Sequence, residues 1–168
     1  PSSKKFKKGD AVILTWIKSS GLNGEDITLN YKEKEINAGP VTTFSNFSII
    51  SENRAVLKPK SISFKQAMLF GCAIPTGAGI ILNQVKPKVE DSILIIGLGG
   101  IGLAALITAV ALKIKNISVI DVNKSKLKYA KDLGVLNAYD ANSKNLQKRI
   151  SSHNKLGFDF CVESAGLI

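Results

Sequence analysis

The sequence has little of what a self-contained metal or nucleophile site is made from. Its 168 residues include two cysteines, Cys72 and Cys161, and a single histidine, His153. Two cysteines so far apart do not make the disulfide framework of a small secreted domain. With no secretory leader pattern either, the reducing cytoplasm is the expected compartment. Arginine is scarce too: Arg54 and Arg149 stand beside 21 lysines, and 13 acids leave a net charge of +10. The lysines are scattered, apart from Lys4, Lys5, Lys7 and Lys8, without which the charge falls to +6. No zinc-finger, helix-turn-helix or aromatic-basic pattern accompanies them, so no nucleic-acid partner is expected. The charge reads as a solvated face, mildly favourable to an anionic cofactor. Ser92 to Leu112 is long and uncharged enough to suggest a bilayer span, but four glycines and a strand-like opening break it up. No membrane partner is expected.

What the chain does have is concentrated in that same stretch. Ile93 to Ile96 is a short β-branched run. Gly97-Leu98-Gly99-Gly100-Ile101-Gly102 follows, then helical sequence to about Leu112, a second β-branched run over Ile117 to Ile120, and an acid, Asp121. Strand, tight turn, helix, strand and acid form a βαβ unit with the dinucleotide fingerprint. Each residue type has a physical task. Gly97 permits the sharp exit from the strand, Gly99 lets a backbone approach a pyrophosphate, and Gly102 lets the helix lie close on the strand. First-turn amides around Gly100 to Gly102, Ile101 included, face the phosphates. Asp121, 19 residues after Gly102, is placed to take the ribose hydroxyls and to repel a 2′-phosphate, which favours NAD over NADP. A doubly wound sheet that binds another nucleotide, or that only packs, is the plain alternative.

Along the chain, 45% apolar composition is enough for a buried core in one domain or two small ones. Ala11 to Ile17, holding the only tryptophan, reads as a strand. Ser19 to Pro40 reads as loops with at most a short hairpin, Thr42 to Ser51 as a further strand, and Ala55 to Leu57 as a short one. Ser63, with Gln66 three residues on, caps a helix reaching Phe70. Residues 71–75 interrupt it, and a second helix runs from Thr76 to about Gln84. Asn123 caps a helix that leaves through Gly134. A brief strand at Ala138 to Asp140, a helix over Lys144 to Ser151 and a strand over Phe158 to Glu163 complete the pattern. The fold class is α/β: four parallel strands in the spatial order 3-2-1-4, a partial doubly wound sheet, preceded by a β-rich part. A six-stranded sheet would need roughly 50 more residues, so the chain is expected to be an internal part of a longer protein.

The segments FGCAIPTGAG (70–79), GLGGIG (97–102) and VIDVNKSK (119–126), in that order, resemble the zinc-dependent, medium-chain alcohol dehydrogenases. KKGDAVIL (7–14) and TTFSNFSIISEN (42–53) are similar to the close of that family's β-rich, GroES-like catalytic domain. The resemblance implies residues 1–73 as the end of that domain and 74–168 as the first four strands of an NAD-binding Rossmann domain. It implies Cys72 as a ligand of the catalytic zinc, Thr76 beside the nicotinamide and Lys126 near the adenosine ribose. Read without the resemblance, Cys72 is better taken as a small buried apolar residue than as a ligand. No cysteine cluster stands in Ser19 to Pro40, so no structural zinc is expected. The other zinc ligands and the proton relay would lie before Pro1. His153 reads as a surface residue in a polar loop and Cys161 as core. Glu163 and Gly166 end a strand where a cofactor commonly approaches, although an ordinary strand end explains them as well. The implied activity is hydride transfer between an alcohol or polyol, or an aldehyde or ketone, and NAD, in a full-length protein that is a homo-oligomer. This stretch alone is expected to be inactive. A zinc-free reductase of the same superfamily and a non-catalytic NAD(H)-sensing module are the alternatives.

Overall fold

The computed structural model describes residues 3–25 and 27–166, which fall into two compact units, Pro1–Cys72 and Ala73–Ile168. In the first unit, β1 (Val12–Leu14) pairs antiparallel with β4 (Ala55–Leu57), and β2 (Ile27–Tyr31) pairs with β3 (Lys34–Gly39). The expected strand over 11–17 shortens to β1. Trp16 lies beyond it, 56% exposed, with its carbonyl accepting from the Arg54 guanidinium. The β2–β3 hairpin turns on Lys32 and Glu33, both with positive φ (47° and 61°), a position where glycine or asparagine is the usual signal.

The strand expected over Thr42 to Ser51 is not there. Local side chains take the backbone instead: Thr42 Oγ1 donates to the Ala38 carbonyl, Ser48 Oγ donates to that of Thr42, and Ser45 and Ser48 pair. Such short hydroxyl bridges offer the chain an alternative to a ladder. Phe44 and Phe47 consequently stand in solvent. Ser63 does cap α1 (Phe64–Ala67) through a reciprocal box with Gln66, and a 3₁₀ turn (Met68–Gly71) continues it.

In the second unit, α2 (Ala73–Gly79) begins earlier than expected and widens into a π-helical turn over Ile80–Val85. Pro75 does not delay it, because first-turn amides have no intrahelical acceptor to lose. After these come β5 (Ser92–Ile96), α3 (Gly100–Ala111), β6 (Asn116–Asp121), α4 (Lys124–Asp132), β7 (Asn137–Asp140), α5 (Leu146–His153) and β8 (Phe160–Glu163). The sheet is parallel in the order β7-β6-β5-β8, the 3-2-1-4 arrangement expected. Alternate residues of β5 serve opposite faces. Ile93 and Ile95 pack with Ala105, Leu106, Ala109, Leu127 and Ala130 of α3 and α4. Leu94 joins Ile120 and Tyr139 beneath Leu146 and Ile150 of α5. Helices on both faces make the sheet doubly wound.

Two expectations fail here. Cys161, read as core, is exposed on β8, on the face it shares with its register partner Leu94. Burial and then the neighbouring Glu163 charge still raise its thiol above the ordinary range. His153 is on the surface as expected, but it ends α5 and does not lie in a loop. Its Nδ1 sits 2.9 Å from the hydroxyl of buried Tyr139. No single helix among the described residues is long and apolar enough to cross a membrane, and Ser92 to Leu112 is divided between β5, the turn and α3.

Candidate cofactor site

The chain leaves β5 at Ile96 and reverses over Gly97-Leu98-Gly99 before α3 begins. Gly97 has φ +86°, and a Cβ there would lie 2.8 Å from the Ala165 nitrogen, so conformation and space both exclude a side chain. Gly102 is helical and its bareness is a matter of space: a Cβ would overlap the Gly97 carbonyl oxygen and reach 2.6 Å from Ser164 Oγ. Gly99 differs from both. Its φ of −73° suits any residue, and a Cβ on it would meet nothing within 4 Å. Neither strain nor packing asks for glycine there; the chain leaves an open cradle that a methyl group would begin to fill.

The cradle lies at the start of α3. Leu103 is the first residue whose amide closes on an earlier carbonyl, that of Gly99, at 2.9 Å. The amides of Gly100, Ile101 and Gly102 precede it and have no carbonyl one turn back. Together with the positive end of the helix dipole they suit an anion, and Gly100 is exposed.

Asp121 ends β6 beside this elbow and is 8% exposed. Its Oδ2 accepts from the Leu98 amide at 2.6 Å and its Oδ1 from the Asn123 amide at 2.7 Å. The carboxylate therefore has backbone partners of its own, and each oxygen keeps a second lone pair for a sugar hydroxyl. Asn123 caps α4, whose first turn carries half-buried Lys126. α2 lies along α3: Ala73 Cβ is 3.3 Å from where a Cβ on Gly100 would stand, and one on Gly77 would meet Ala104 Cβ at 2.7 Å. Half-buried Thr76 precedes Gly77 on that helix. Cys72 belongs to the first unit, exposed, at a break in the helical backbone (φ −149°, ψ −65°).

The structure thus brings the glycine elbow, Asp121, Lys126 and the α2 turn bearing Thr76 into one unit. Glu163 turns its Oε1 onto the amides of Ala165 and Gly166 (2.7 and 2.9 Å), as an ordinary strand end does. Ser164 had no signal in the sequence. Its hydroxyl donates to the Gly97 carbonyl at 2.9 Å, with that of Ile96 at 3.1 Å as a second acceptor. Among the described residues no three His, Cys, Asp or Glu side chains gather closely enough to hold a metal ion, so these residues alone do not make a zinc site.

A doubly wound parallel sheet with a glycine elbow at its first crossover defines a Rossmann-type domain. Residues 100–167 match the family model of the zinc-binding dehydrogenases. The S-(hydroxymethyl)glutathione dehydrogenases of Photobacterium damsela subsp. piscicida and of Haemophilus influenzae are each 34% identical over 128 residues, which is 74% of this chain and 34% of either relative. Among solved structures, benzyl alcohol dehydrogenase from Acinetobacter calcoaceticus superposes with a TM-score of 0.65 at 30% identity, over 70% of this chain and 33% of that one. A putative alcohol dehydrogenase from Sinorhizobium meliloti 1021 has the same fold over 97% of this chain and 48% of its own, with a TM-score of 0.75 at 23% identity. The chain belongs to the zinc-binding dehydrogenases of the medium-chain dehydrogenase family, and it spans about a third of the length of the curated relatives it matches.

Proposed function

We propose that this chain is the dinucleotide-binding part of a dehydrogenase that transfers a hydride between an alcohol or polyol and NAD, or from NADH to an aldehyde or ketone. The observation that supports it is the open space over Gly99, bounded by the first-turn amides of α3 and by the carboxylate of Asp121. The diphosphate would rest on the amides of Gly100, Ile101 and Gly102, with Gly97 and Gly99 allowing its approach. Asp121 and Lys126 would take the adenosine ribose, and Thr76 would stand by the nicotinamide. The bound dinucleotide supplies the hydride chemistry; these residues bind and orient it.

A buried carboxylate at the ribose disfavours a 2′-phosphate, which is the basis for choosing NAD. Cys72 is proposed as one thiolate ligand of a zinc ion in the full-length protein, with its other ligands supplied from outside this chain. The substrate would be a small alcohol or carbonyl compound, and the protein a cytoplasmic homo-oligomer. The test is a fluorescence titration of the full-length protein with NADH and, in parallel, NADPH. NADH should bind at least about tenfold more tightly. Equal affinities would refute the role given to Asp121.

A further inference from the structure

We propose that Ser164 and Asp121 are positioning residues that lock one peptide group of the elbow, the one joining Gly97 to Leu98, before any ligand arrives. The proposal rests on the dinucleotide reading of the site and adds to it a reason why the cradle is already open. Both polar groups of that peptide are held by side chains, one from the end of β6 and one from the residue after β8. Its carbonyl, on Gly97, accepts from the Ser164 hydroxyl at 2.9 Å. Its amide, on Leu98, donates to Asp121 Oδ2 at 2.6 Å. The plane is therefore gripped at both ends, from β6 and from the residue that follows β8. The preceding peptide is held separately, by the Gly97 amide on the Ile120 carbonyl at 2.8 Å.

A grip is needed because a peptide next to glycine has a low barrier to reorientation, glycine tolerating both signs of φ. In the observed orientation the Leu98 side chain is fully buried and Gly99 faces open space. A rotated plane would draw Leu98 out of the core and swing the following amides away from the diphosphate. Apparent affinity falls in proportion to the fraction of molecules in the competent shape. Losing either side chain also leaves a buried backbone group without its partner, which favours rotation further.

The test uses the full-length protein, with Ser164→Ala and Asp121→Ala. NADH binding is followed by fluorescence, and inorganic pyrophosphate and adenosine are measured as displacers of NADH. For Ser164→Ala, affinity for NADH and for pyrophosphate should each fall about tenfold, with adenosine unchanged. A general loss of structure would weaken adenosine as well. For Asp121→Ala, pyrophosphate should weaken about tenfold and NADH more, because the ribose partner is also lost. If both variants bind pyrophosphate like wild type while Asp121→Ala alone loses NADH, the grip is overturned and the cofactor reading stands. Wild-type protein that binds neither NADH nor pyrophosphate would overturn both. Should Asp121→Ala fail to fold, Ser164→Ala decides the matter.

Discussion

Gly99 and Gly102 carry the same residue for opposite reasons, and substituting each with alanine separates them. In Gly102→Ala the new Cβ overlaps the Gly97 carbonyl oxygen and approaches Ser164 Oγ to 2.6 Å and the Gly97 carbon to 3.0 Å. Backbone cannot rotate aside as a long side chain can, so α3 must move off β5 by about an ångström. Overpacking of this kind costs about 1–3 kcal/mol, and the upper end applies because the obstacle is main chain. The better helix propensity of alanine returns about 1 kcal/mol. A net loss of about 2 kcal/mol lowers the melting temperature by roughly 8–16 °C if a unit of about 100 residues melts alone, and by roughly 4–8 °C if it melts within a unit of 150–250 residues.

Gly99→Ala meets nothing within 4 Å and needs no change of φ. Alanine is a poorer helix N-cap than glycine, which costs under about 1 kcal/mol. Its methyl nevertheless projects into the space assigned to the diphosphate, so NADH affinity should fall by about tenfold or more, or about 1.4 kcal/mol. Thermal unfolding and NADH titration of both variants in the full-length protein give the comparison. A Gly102→Ala protein that melts like wild type would refute the packing argument. A Gly99→Ala protein that binds NADH like wild type would remove the diphosphate from the elbow.

Further outcomes are expected elsewhere in the chain. Glu52 gathers the Ser3 hydroxyl and the amides of Leu22, Lys5 and Lys4 at 2.5–2.8 Å, and these bonds, the Ser3 bond foremost, hold its carboxyl down to about 2. A depressed folded-state pKa contributes stability that is complete above the unfolded value of 4.5 and is lost as pH falls towards 2. Acid unfolding of Glu52→Gln should therefore show a shallower loss between pH 5 and 2 than wild type; superimposable curves would show that the bonds contribute nothing. For Cys72→Ala in the full-length protein, metal analysis should register about one zinc fewer per chain, the count a single thiolate-dependent site implies. Unchanged zinc would remove Cys72 as a ligand.

Legibility differed between the two units for a physical reason. From Ser92 to Glu163 the hydrophobic pattern and the turn chemistry agree: β-branched runs become β5 and β6, Asn123 caps α4 with its side chain, and Gly134 takes φ +95° at its exit. Short right-handed crossovers then leave few sheet orders open, and 3-2-1-4 is the one observed. In the first unit the same signals were weak. The β2–β3 hairpin is mostly exposed and turns on lysine and glutamate, so neither periodicity nor glycine announces it. The hydroxyl-rich 42–51 stretch alternates like a strand, yet its serines and threonines satisfy the backbone locally.

By itself, the sequence determined the elements of the sheet, their order, and the residues of the glycine elbow, because local backbone demands and burial period are written into neighbouring residues. Tertiary structure alone decided which glycine is bare for packing and which for open space, since that depends on Ser164 and Ala165, more than sixty residues away. It also decided that Asp121 holds the Leu98 amide. Each of these turns on what stands opposite a residue in space, which no spacing along the chain encodes.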